Sequence, residues 1–171
     1  MDRRKKMCTQ EEKEEKNLEP VSMYNIAAKL FAHVAKAVID KYGEEACETI
    51  KDGVNAFGEE RGREIARRAA VMGESNKIDN YLKNYDMARS ELFEYETIFK
   101  NQKIEQNFTK CVFAEQWQND GMEEYGILYC EAVDPAIARG FNENLEVIHD
   151  KHFFKDGSCH FCFYMKSDID K

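Results

Sequence analysis

A thiol at Cys130 is followed four residues later by a carboxylate at Asp134, which stands directly before Pro135. If helical geometry runs through this segment, positions i and i+4 share a face and the two groups meet there. If the helix breaks at the proline, Asp134 is the N-cap of a new helix and Pro135 its first residue. Capping is the favoured reading, and it does not exclude a second role. A helix N-terminus beside Cys130 would supply partial positive charge and favour the thiolate.

A second group of reactive types lies near the C-terminus. Asp156-Gly157 is a strong two-residue hairpin signal between LEVIHDKHFF and CHFCFYM. Such a turn sets Phe154 opposite Cys159, His152 opposite Phe161 and Asp150 opposite Phe163. Cys159 then lies diagonally from His152, at roughly 7 Å between backbone positions, with Asp150 next on the same side. Thiol, imidazole and carboxylate in that order are the parts of a nucleophile, a base and an orienting group. A hairpin with two cysteines and three histidines also brings such types together by chance. The bland reading is a packed cysteine beside a hydrogen-bonded histidine.

Cys159 and Cys162 invite a metal reading, but three positions apart on a straight strand they point to opposite faces. No metal site is expected. No glycine loop cradles a phosphate, so no nucleotide or other cofactor is expected either. Arg61 stands on an apolar helical stripe between Phe57 and Ile65. A buried arginine needs an anion, either a protein carboxylate or a substrate carboxylate.

The elements that must position these residues are helices first and strands after. Ser22 caps a helix that Gly43 ends, with Ala28, Phe31, Ala35 and Val38 on its inner face. A second helix is expected from about Glu44 to Met72. Gly58 and Gly62 weaken it by about 1 kcal/mol each relative to alanine, which close approach of another backbone would offset. A third helix is read from Lys77 to about Ser90. FEYETIF alternates as a strand, and NFTKCVFAEQW is read as a second strand reaching Trp117. Residues 122–132 read as helix, a short helix follows from Pro135 to about Phe141, and the hairpin closes the chain. The fold class is therefore α+β: N-terminal helices packed on a C-terminal four-stranded, mainly antiparallel sheet.

Residues 1–20 are charged and nearly free of aromatics, and are read as a frayed arm ahead of a single domain over 21–171. The chain of 171 residues can bury one sizeable core. Its formal net charge of −8 disfavours nonspecific attraction to nucleic acid or an anionic membrane. No apolar run approaches the ~20 residues that span a bilayer, and the charged N-terminus lacks the apolar core of a signal peptide. A cytoplasmic location follows as the expectation, with the six cysteines as free thiols.

The run from Ala114 to Tyr164 resembles the L-2-amino-thiazoline-4-carboxylic acid hydrolase family. The match rests on Glu124, Gly126, Cys130, Asp134, Gly140 to Asn142, Gly157, Cys159 and Phe161, and on Cys111 in the preceding strand. MEEYG stands where the family has Pro-Glu-Leu-Gly, and His152 stands where it often has a hydroxyl residue. The resemblance implies a hydrolase acting on carbon–nitrogen bonds of a cyclic amidine, opening a thiazoline carboxylate to a carbamoyl-cysteine. It implies Cys130 as nucleophile or substrate-contacting thiol and Asp134 for proton transfer or amidine recognition. Cys159 would line the same pocket; His152 joins the candidate site from the hairpin register and not from the resemblance. Arg61 would hold the substrate carboxylate, with Glu124 and Trp117 as further substrate contacts. The aromatic sheet also resembles the 4-vinyl reductase-type ligand-binding domain, which implies a non-catalytic small-molecule or lipid-binding module. A third reading is a protein whose helices pair into a homodimer.

Overall fold

The computed structural model describes residues 20–88, 90–100 and 102–166. The charged arm, with Cys8, lies outside the described residues apart from Pro20. Helix α1 (Met23–Tyr42) starts where Ser22 Oγ accepts the Asn25 N–H at 3.2 Å, and it ends where Gly43, at φ 86°, donates to the Ile39 carbonyl. Its buried face is made of Ala28, Ala32 and Ala35, small residues that let neighbours approach. Helix α2 (Ala46–Val71) follows and buries Val54, Ile65 and Ala69.

The segment after α2 differs from the single helix expected over 77–90. It forms two 3-10 turns, Ile78–Asn80 and Leu82–Asn84. Asn80 Nδ2 bonds the Ser75 carbonyl and Asn84 Nδ2 the Asn80 carbonyl, so side chains compete with the helical ladder. Tyr81 is nevertheless fully buried.

Strand β1 (Phe93–Lys100) pairs with β2 (Lys103–Cys111). β2 stops at Cys111, and helix α3 (Val112–Asp120) replaces the expected continuation to Trp117. The alternation of Val112, Ala114 and Gln116 misleads, because all three are buried on the helix, which Gly121 closes at φ 64°. Helix α4 (Glu123–Phe141) then runs unbroken through Pro135. Asp134 is therefore not an N-cap. The proline forfeits one bond, to the Glu131 carbonyl, and packing on α2 holds the helix across the gap.

That packing is close. A Cβ at Gly58 would come within 2.6 Å of the Ala136 Cβ, and one at Gly62 within 2.6 Å of the Gly140 Cα. The glycines thus bring the α2 backbone against α4, and Arg61 comes with it.

Strand β3 (Leu145–Lys151), a helical turn α5 (Phe153–Asp156) and strand β4 (Cys159–Met165) complete the fold. The sheet is antiparallel in the order β1-β2-β4-β3. The expected two-residue turn is absent: residues 153–156 coil into α5, which Gly157 ends at φ 69°. The register moves accordingly, with Lys151 opposite His160, His149 opposite Phe161 and Val147 opposite Phe163. Val147 and His149 thereby join the core face with Phe161 and Phe163, where the two-residue turn assigned Ile148 and Asp150.

Candidate active site

Cys130 and Asp134 lie one turn apart on α4, both in its interior half. Cys111, at the end of β2, and Cys159, at the start of β4, both act electrostatically on Cys130, and the Asp134 charge acts on all three thiols. Burial pushes the Cys130 thiol well above the ordinary value, and the charges of Cys111, Cys159 and Asp134 push it the same way. Burial likewise lifts Cys159 to about 12, against a hydrogen bond from the Phe153 backbone. Cys111 is raised by burial, and the backbone of Ala114 and Phe113 opposes this. All three thiols are therefore neutral at rest.

Burial also raises the Asp134 carboxyl to about 6, and Arg61 draws it back down. No hydrogen bond reaches that carboxyl among the described residues. Arg61 itself grips Asp86 with two bonds, Nε to Oδ2 at 2.8 Å and Nη2 to Oδ1 at 2.7 Å. Burial works against its charge, and Asp86 more than offsets this. Its guanidinium also lies 5.6 Å from the Phe57 ring centre and 5.7 Å from that of Tyr85. Of the two anions the sequence left open for Arg61, the protein carboxylate is the one in place. Tyr81, Tyr85 and Tyr129 surround the Arg61–Asp134 pair electrostatically, and burial raises each phenol. The Tyr81 hydroxyl is buried without a hydrogen-bond partner.

The hairpin group is arranged differently from its expectation. Asp150 Oδ1 lies 2.6 Å from His160 Nδ1 rather than serving His152. His149, which the register turns inward, stacks on Phe161 with ring centres 4.1 Å apart and meets the His152 ring at 3.8 Å. Burial first, then His152, lowers His149 to about 4, while the backbone of Lys151 and Cys130 opposes this. Neither His149 nitrogen, nor His152 Nδ1, has a hydrogen-bond partner. Buried polar atoms left open on the residues around one site call for water or a bound molecule.

Two substrate-contact candidates stand elsewhere. Trp117 is 1% exposed, donates Nε1–H to the Ala28 carbonyl at 2.8 Å, and has Gly126 packed against its ring. It is a core residue. Glu124 is exposed in the first turn of α4. Asp86, Tyr81, Tyr85, Tyr129 and His149 were not found from sequence as site residues. Only Arg61's place on an apolar stripe called for one of them, an anion. No group of three or more His, Cys, Asp or Glu could hold a metal ion among the described residues.

Helices over an antiparallel sheet, with thiols and a carboxyl at their junction, define an α+β protein. The family model for L-2-amino-thiazoline-4-carboxylic acid hydrolase matches residues 23–163, so the chain belongs to that family. No curated protein and no solved structure matches the chain.

Proposed function

We propose that this protein opens the ring of a 2-aminothiazoline carboxylate, with Cys130 as nucleophile and Asp134 as its proton partner. The observation that carries this reading is their spacing of one helical turn on α4, beside Arg61 and two further thiols. The Cys130 sulfur adds to C2 of the ring and its proton goes to Asp134. A thiol above its ordinary pKa giving a proton to a carboxyl near 6 is uphill by roughly 4 kcal/mol or more. A substrate bound as the amidinium cation offsets this by favouring the thiolate. The bond from C2 to the ring sulfur then breaks, and that sulfur takes the proton from Asp134. The carbon remains on Cys130 as an isothiourea.

Water next adds to this carbon, giving its proton to Asp134, and Cys130 leaves as the thiol. The product is the carbamoyl-cysteine, which keeps its two carbon–nitrogen links, so the bond broken overall is carbon–sulfur. Cys159 and Cys111 offer polarisable surface to the ring sulfur. A substrate carboxylate would have to share Arg61 with Asp86. His149 and Tyr81 supply open polar atoms for the ring substituents, and His152 acts through His149. The same reading takes a cytoplasmic protein without a nucleic-acid partner. No helix of the described residues is long and apolar enough to cross a membrane.

The test is thiol release from 2-aminothiazoline-4-carboxylate by the purified protein. Cys130→Ala should lower turnover at least about 10³-fold, the scale seen for lost nucleophiles, with the melting temperature nearly kept. Turnover that survives in Cys130→Ala sinks the proposal. A melting temperature raised by the compound without any thiol release would favour the binding-module reading instead.

A further inference from the structure

Strand β1 forms one edge of the sheet, and among the described residues no strand pairs with its outer side. It exposes large apolar side chains: Phe99 is 65% exposed, and Tyr95 and Ile98 are each 38% exposed. Phe93, Tyr95, Thr97 and Phe99 line a hollow along one face of it. An open apolar edge is a template for another strand.

The sequence of β1 is complementary to itself. Laid antiparallel on a second copy with Thr97 facing Thr97, it sets Glu94 opposite Lys100 and Tyr95 opposite Phe99. The two-fold axis repeats both pairs. Opposite charges and aromatic rings directly across a ladder stabilise it. The charges extend inward as well. Within one chain Lys110 Nζ lies 3.8 Å from Glu94, and Lys100 Nζ lies 3.1 Å from Glu105. Across the joint, Lys110 and Glu94 would meet Lys100 and Glu105 of the second copy, a row alternating in sign. Moving the axis to Glu96 sets two carboxylates face to face. Moving it to Ile98 leaves Tyr95 without an aromatic partner. Both edge ladders carry one irregularity, β1 between Glu94 and Tyr95 and β3 between His149 and Lys151, but the β3 edge is less suited because only Ile148 is a large exposed hydrophobe there.

We propose that two copies of this chain join edge to edge through β1, in the Thr97-centred register, to form one continuous eight-stranded sheet. The test is sedimentation equilibrium of the full chain together with crosslinking. The wild type should sediment at about twice the 20.0 kDa chain mass. Thr97→Cys should be captured as a dimer by a short bis-maleimide, whereas the wild type and Lys103→Cys, at the far end of β2, should not. Phe99→Ser, at an exposed position, should raise the dimer dissociation constant at least tenfold while the melting temperature of the dissociated chain is kept. A wild type that stays monomeric at the highest attainable concentration overturns the proposal. So does a dimer that Phe99→Ser leaves intact and Thr97→Cys does not capture, as one built on the exposed Met23, Leu30 and Val34 of α1 would be.

Discussion

Asp134 is a half-buried carboxyl that desolvation raises to a pKa near 6, opposed by a guanidinium already engaged by Asp86. Its folded value lies above the ordinary carboxylate value of 3.8. The folded state therefore holds its proton more tightly than the unfolded chain does. That contribution is fully present below about pH 4 and is lost as pH rises through 6, a difference of up to about 3 kcal/mol. Asp134→Asn should accordingly be more stable than the wild type at pH 8, by up to about 3 kcal/mol, and equal to it near pH 4, measured by urea unfolding. A gain independent of pH would show that the carboxyl is not raised. The same substitution should lower turnover by about 10²-fold or more. Arg61→Gln removes the charge that draws Asp134 down, so the carboxyl should titrate at higher pH by carbon-13 NMR, and the acid limb of kcat/KM should move with it. At this scale the sequence was informative where spacing carries meaning. A shared helix face for Cys130 and Asp134 was one of two readings, the less favoured one beside capping, and Arg61 was readable as a cation in need of an anion. Asp86 was not readable, because it lies in an irregular segment where no period relates it to Arg61.

Between elements, the closest fit is α2 on α4. Gly62 and Gly53 stand nine residues apart on the same helix, in opposite surroundings. A Cβ at Gly62 would overlap the backbone of Ile137, Gly140 and Phe141, whereas one at Gly53 meets nothing within 4 Å. Gly62→Ala should cost about 3 kcal/mol, on the scale of overpacking, while Gly53→Ala should gain about 0.5–1 kcal/mol from helix propensity. Thermal unfolding of the two variants checks this, and equal effects would contradict the close contact. The glycines were legible as a request for a near neighbour, but the neighbour was not named by them. Helix α4 shows the limit of local signals. Asp-Pro reads as a helix start, yet the burial of Val133, Ala136 and Ile137 carries the helix through it. The hairpin shows another limit. Asp-Gly marks a turn, but Phe153 and Phe154 both pack inward, and α5 accommodates them where a two-residue loop would not.

Over the whole molecule, the separation of helices and strands was legible from the change of hydrophobic period near residue 93. The site was legible only in part, because its residues come from α2, β2, α4 and β4, and no single stretch holds them. The inward face of β3 depended on a register that one extra helical turn reversed.

The place of β4 has a consequence for how the chain matures. Of the four described strands it comes last in the sequence, yet it lies in the middle of the sheet, between β2 and β3. Before β4 is made, β2 and β3 have no strand to join them, and each keeps an unpaired hydrogen-bonding edge that β4 fills in the finished sheet. A chain halted after Gly157 should lack any cooperative melting transition and should bind an apolar dye, behaving as a half-built sheet rather than a smaller version of the whole. Chaperone demand during synthesis would then fall on the interval before residue 159 emerges.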